Sequence, residues 1–186
     1  VDAISMHCPH RVRVSSVLPP KTPVCFASVF TGAPPERHGI RQPERPVLTC
    51  DTLFDAVIRA GKRVAIVAVH DSSIDIMYRN RSIDYFSETY DEQVTDRVET
   101  LLVRNLHHLV VVYHQEYDDQ LHATEPFSPL CIRALERHLA SVERIATAAR
   151  RVWASCPQAI VVAPDHGAHL NEELGLGDDR PALRRH

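Results

Sequence analysis

Three observations predict an α/β fold with a mostly parallel sheet sandwiched between helices. Short apolar runs of strand length alternate along the 186 residues with longer stretches whose apolar positions recur at helical spacing. The short runs are apolar at nearly every position, as a sheet covered on both faces requires. The connections between them are long, which suits crossovers between parallel strands.

Residues 12–17 are β-branched at Val12, Val14 and Val17 and are expected to form a buried strand that stops at Pro19-Pro20. Thr22 caps well and Pro23 suits the start of a helix, so a short helix is expected over residues 24–30 with Thr22 as its cap. It should end at Thr31-Gly32, and His38-Gly39 marks a second turn. After the proline-rich link 43–46, Thr52 should cap a helix carrying Leu53, Phe54, Ala56, Val57 and Ile58, closed by Gly61. Val64–Val69 reads as the second strand, followed by His70-Asp71-Ser72-Ser73. Residues 72–88 mix turn formers with Ile74, Ile76, Met77, Tyr85 and Phe86 without one period, and no element is assigned there.

Val94, Val98, Leu101 and Leu102 give an amphipathic helix over residues 90–104. Leu109–Tyr113 is the third strand, and a polar loop over residues 114–127 follows. A long helix is expected over 129–153, with Leu130, Leu135, Leu139, Val142, Ile145 and Ala149 as its apolar face. Residues 159–163 read as the fourth strand, with Pro164-Asp165-His166-Gly167 immediately behind it. The charged segment 171–186 carries no clear element.

At 44% hydrophobic, the chain can bury one core, and residues 1–186 read as a single domain. The net charge of −3 is interspersed, so no nucleic-acid-binding surface is expected. No apolar run approaches the ~20 residues of a membrane span, and no signal peptide opens the sequence. No membrane partner is therefore expected, and no pattern sets an oligomeric state. Cys8, Cys25, Cys50, Cys131 and Cys156 show no CxxC spacing, which suits free thiols and a cytoplasmic location. The triplet Asn80-Arg81-Ser82 matches a glycosylation sequon, a match that chance readily produces. Twelve scattered histidines direct attention to metal ligands.

In a doubly covered parallel sheet, sites form at the carboxyl ends of the strands. Three expected strand ends carry distinctive polar groups. Lys21-Thr22 follows the first, placing a hydroxyl beside a cation at the positive end of a helix dipole, where a phosphoryl or sulfuryl group would be welcome. Asp118 and His122 follow the third, spaced i,i+4 so that one helical turn can aim both at a divalent ion. Asp165-His166-Gly167 follows the fourth, where the glycine leaves room for a sharp turn. Taken singly, these fragments are more often an ordinary cap, a solvated helix face and a plain turn. Falling together at one sheet edge, two Asp/His pairs and a hydroxyl make a two-metal phosphoryl-transfer centre. Tyr113, Glu116 and Tyr117 are candidate pocket-lining residues, His107-His108 read as surface or edge residues, and His70-Asp71 as structural.

These residues resemble the alkaline phosphatase superfamily, most closely its type I phosphodiesterase/nucleotide pyrophosphatase branch. Lys21-Thr22-Pro23, Thr31-Gly32 and Pro35-Glu36-Arg37-His38-Gly39-Ile40 are similar to that branch's nucleophile segment, with Thr22 nine residues before Thr31. The Asp-x-x-x-His and Asp-His-Gly motifs match at Asp118, His122, Asp165, His166 and Gly167, in the family's order. The resemblance implies an alkaline-phosphatase-like core and a hydrolase of phosphate mono- or diesters acting on a small-molecule ester. It implies Thr22 as nucleophile and metal ligand with Lys21 beside it. Two divalent ions are implied, zinc first and manganese as the other choice, one on Asp118 and His122, the other on Asp165 and His166.

The chain departs from the family's pattern at three places. The family opens with a strand ending in a metal-binding Asp, whereas only Asp2 precedes Thr22 here, so residues 1–186 are expected to be a partial metallohydrolase domain without that first strand. The family's late His ligand would fall near Gly175-Leu176-Gly177-Asp178-Asp179, leaving His169, Asp179 or His186 as substitutes. Cys25 stands where nucleotide pyrophosphatases carry an Asn on phosphate, which weakens a nucleotide substrate. A sulfatase would need a Cys or Ser nucleophile in a Cys/Ser-x-Pro-x-Arg context, which is absent. The alternative is a catalytically silent member of the fold acting as a binding or structural domain.

Overall fold

The computed structural model describes residues 2–171 and 176–178. Its centre is the strand β1 (Val64–Val69), in which all six residues are buried. β1 pairs in parallel with β2 (Asp84–Glu88) on one side and with β3 (Leu109–Tyr113) on the other, giving the order β2-β1-β3. Ala65 faces Asp84 across one ladder and Val110 across the other.

Because side chains alternate along a strand, β1 feeds two cores at once. Val64, Ile66 and Ala68 pack with Val24, Phe54, Ile74, Met77 and Tyr78, contributed by α2 (Thr22–Thr31), α4 (Leu53–Arg59), α5 (Ser73–Met77) and the residue after it. Ala65, Val67 and Val69 pack with Val94, Val98, Leu101 and Leu102 of α6 (Asp91–Arg104) and Ala148 and Ala149 of α8 (Pro129–Val152). The molecule is thus α/β, with a parallel three-stranded sheet flanked by helices. α1 (Asp2–His7) packs on α8, and α3 (Pro35–His38) on α2.

The first core is held by rings. Phe54 meets Phe30 at 4.7 Å between centroids and Tyr78 at 4.9 Å, the latter edge-on at 87°. The Tyr78 hydroxyl donates to the carbonyl of Phe26 at 2.9 Å, tying α5 to α2. Thr52 caps α4 as the sequence implies, in a reciprocal capping box with Asp55. Ser128 caps α8 through the amide of Cys131 at 3.1 Å, with Pro129 at the first helical position.

Several expected elements differ. Residues 12–17 form no strand: Val12 is 82% and Val14 75% exposed, and no strand among the described residues pairs with them. Residues 159–163 likewise form no strand; Ile160 packs against the second core while Val161 is 83% exposed. β-branched composition suits a pleated surface, but a strand exists only where a neighbour completes its ladder. Residues 73–77 and 84–88, left unassigned from sequence, are α5 and β2. Residues 114–127 contain a helix, α7 (Glu116–Ala123). On α8 the buried face is Cys131, Ala134, Ser141, Ala146, Ala148 and Ala149, while Leu130 and Leu135 are exposed. The expected face is met at Ile145, packed on the second core, and at Ala149, which is buried. Beyond residue 168 the backbone forms β4 (His169–Asn171), antiparallel to β5 (Leu176–Asp178). Among the described residues no helix is long and apolar enough to cross a membrane.

The seam between α6 and α8 carries buried polar groups. The Thr95 hydroxyl donates to the carbonyl of Asp91 at 3.0 Å, so its oxygen accepts from His114 Nε2 at 2.9 Å. On the rim, Arg144 of α8 reaches Glu92, Asp96 and Glu99 of α6.

Phe54→Ala should cost about 3–5 kcal/mol, because a fully buried ring leaves a cavity that its aromatic neighbours cannot close; urea denaturation reads the loss. His114 gives a pH signature. Burial pushes it from 6.5 down to about 4, against the pull of Asp91, with His138 and Glu92 as its other charged neighbours. Between pH 6.5 and about 4 the unfolded chain therefore binds a proton that the folded chain refuses. Stability should fall with falling pH across that window by up to about 1.4 kcal/mol per unit. His114→Gln should flatten the slope when urea midpoints are compared across the same range.

Candidate active site

Thr22 begins α2 as its first helical residue, with Lys21 in the cap position on extended backbone. The expected role of Thr22 as cap is thereby corrected, and its hydroxyl is directed elsewhere. Thr22 Oγ1 lies 3.1 Å from His166 Nε2, across 144 residues of sequence. His166 Nδ1 lies 3.0 Å from the carbonyl of Gly167, an acceptor only, so Nδ1 carries the proton. In that tautomer Nε2 is the acceptor, and the Thr22 hydroxyl donates to it.

Asp165 joins the same point. Its Oδ2 is 3.3 Å from His166 Nε2, yet that oxygen is buried without a hydrogen-bond partner. The His166 side chain is only 6% exposed. A buried carboxylate oxygen and an imidazole lone pair thus converge beside an alcohol, two acceptors without a donor to share beyond the Thr22 proton.

Asp118 and His122 lie one turn apart on α7, with His122 Nε2 at 3.4 Å from Asp118 Oδ1, and both are partly exposed. Burial first, then the negative charges of Asp165 and Asp119, push the Asp118 carboxyl above its ordinary range, against the pull of His122 and His166. The two acid–imidazole pairs therefore share one electrostatic neighbourhood. Near both stands Tyr113 at the end of β3, its ring edge-on to Phe26 at 5.5 Å. Burial raises its phenol, and the nearby Asp118 and Asp165 charges raise it further.

Cys25, one turn after Thr22 on α2, is buried. His169 lies on β4, and Asp2 begins α1; Asp179 and His186 fall outside the described residues. One link was not legible as more than a turn. His38 accepts the amide of Ile40 on Nδ1 at 3.1 Å and so donates from Nε2 to Ser28 Oγ at 2.9 Å. Burial lowers its pKa and keeps it neutral, with Glu36 opposing. This pair locks α3 onto the helix that presents Thr22.

The family model for type I phosphodiesterase/nucleotide pyrophosphatase matches residues 6–174. The chain belongs to the type I phosphodiesterase/nucleotide pyrophosphatase family. No curated protein matches it. The family's chemistry is phosphoester hydrolysis, and its members typically use divalent metals.

The residues of this phosphodiesterase-family chain fit such ions in donor chemistry. The orphaned Oδ2 of Asp165 and the crowded carboxyl of Asp118 both favour a neighbouring cation. In number the set is short: among the described residues no group of three or more His, Cys, Asp or Glu side chains is gathered as a metal site.

Proposed function

We propose that the chain is a metal-dependent hydrolase of phosphate mono- or diesters, with Thr22 as nucleophile. The observation that carries this reading is the 3.1 Å contact between Thr22 Oγ1 and His166 Nε2, with the ring's tautomer fixed from behind by Gly167. Family membership supplies the reaction class.

The chain's residues divide the work. Thr22 Oγ1 attacks phosphorus, and its new P–O bond forms as the ester P–O bond breaks and the alcohol departs. Water then attacks the same phosphorus, and the bond to Thr22 breaks to restore the hydroxyl. The amino-terminal end of α2 and Lys21 offer positive potential to the phosphoryl oxygens. Asp118 with His122, and Asp165 with His166, would hold two divalent ions, zinc or manganese, whose charge when bound keeps the nucleophile ionised and offsets the charge of the transition state. The substrate on this reading is a small-molecule phosphate ester. Both cores share one sheet, which supports reading the chain as one domain, and cysteines without CxxC spacing suit a cytoplasmic setting.

A second reading has its own support. With no three-ligand group among the described residues, the chain could keep the fold while binding metal weakly, as a binding or structural domain.

Hydrolysis of p-nitrophenyl phosphate and bis-p-nitrophenyl phosphate with added Zn²⁺ or Mn²⁺ separates the two. Thr22→Ala should lower kcat by roughly 10³ or more, the scale seen when a nucleophile is removed. A chelator should abolish turnover, and Zn²⁺ or Mn²⁺ should restore it. Purified protein that retains no metal after supplementation, and turnover indifferent to Thr22→Ala, would support the silent domain instead.

A further inference from the structure

α7 carries Asp118 and His122 but is poorly equipped to hold itself in place. It has eight residues, well below the length at which an isolated helix is stable in water. Its cap residue, Gln115, makes no side-chain cap bond. The first amides of a helix need acceptors from somewhere.

The acceptor comes from another element. Asp91, the first residue of α6, is 6% exposed. Its Oδ1 accepts the amide of Gln115 at 2.8 Å and its Oδ2 the amide of Glu116 at 3.0 Å. His138 of α8 donates from Nε2 to the same Oδ2 at 2.7 Å. One carboxylate therefore joins three helices, and it sits at the amino-terminal end of α7, where negative charge is favoured. Burial alone would raise the Asp91 carboxyl, but the bonds from His138, Gln115 and Glu116 and the nearness of His114 leave it below its ordinary value. Other ties on this turn are more exposed. Arg137 forks onto Glu116 at 2.8 and 2.5 Å on the surface, where ion pairs contribute little. Tyr90 donates to Asp119 at 2.7 Å.

We propose that Asp91 is a positioning residue for the Asp118–His122 pair, capping α7 from outside while His138 holds its carboxylate in register. Asp118 stands two residues beyond Glu116 and His122 one turn further, so a shift of the capped turn moves both side chains together. The inference rests on the metal-binding reading above. It adds that a group contacting neither ion nor substrate sets the affinity of one ion and not the other.

The test is calorimetric titration of the full chain with Mn²⁺ alone, beside hydrogen exchange of the metal-free protein. Asp91→Asn replaces an acceptor oxygen with a donor; it should weaken one of two ions by about tenfold or more, as loss of a supporting group does, and leave the other unchanged. Exchange at the amides of Gln115 and Glu116 should accelerate by a similar factor. Arg144→Ala breaks the ion pairs on the same α6–α8 seam without touching α7 and should alter neither ion. His122→Ala is the control for the underlying reading and should lose one ion. If His122→Ala loses an ion while Asp91→Asn keeps both, the positioning role is overturned and the metal reading stands. If His122→Ala changes nothing, the metal reading fails and takes the positioning role with it. Where Asp91→Asn does not fold, His138→Gln must weaken the same single ion, and unchanged affinity there overturns the proposal.

Discussion

β1 offers no face to water. Every peptide group in it must be paired by a strand on each side, and every side chain must be apolar, three to each of two cores. Polar chemistry is thereby expelled from the middle of the sheet to its ends. At the carboxyl end the chain turns out of β3 through Tyr113 into α7, and α2 arrives with Thr22 at its tip. The candidate site lies at this edge because the interior has no place for a charge.

This explains which parts of the chain were readable. Val64–Val69 and Leu109–Tyr113 declare themselves, since a strand buried on both faces must be written in apolar residues alone. Thr52 also acts within three residues of its own position, so its cap is a local fact. Residues 12–17 and 159–163 have the composition of strands, but composition states only that a side chain would tolerate pairing. Whether a ladder forms depends on a neighbour distant in sequence, as β3 is from β1. On α8 the periodicity was sound and the expected face held at Ile145 and Ala149, while Leu130 and Leu135 near its start are exposed.

The candidate site was legible as a set of residue types and opaque as a set of contacts. Asp118, His122, Asp165, His166 and Thr22 can be picked out by spacing and motif. That Thr22 and His166 touch, and that Gly167 decides which nitrogen faces the threonine, depends on a turn whose geometry no spacing reveals. Asp91 is harder still. An Asp in the first turn of a helix reads as a favourable charge for that helix, and nothing near it signals that its oxygens serve amides 24 and 25 residues away. Supporting groups of this kind are found only once helices are placed against one another.

The electrostatics of the edge supply one more step. Asp118, Asp119 and Asp165 bear on a single buried phenol, that of Tyr113. Such a cluster repels anions, and phosphate mono- and diesters are anions at neutral pH. The amino-terminal end of α2 and Lys21 contribute positive potential from one side only. On the proposed reading, substrate and carboxylates can coexist only with positive charge between them. On that reading the need for cations follows from the substrate's charge as well as from the donor chemistry of the carboxylates. A chain that kept these acids without the cations would refuse the very esters its family hydrolyses, which makes metal affinity, more than the presence of Thr22, the property that divides an enzyme from a silent relative.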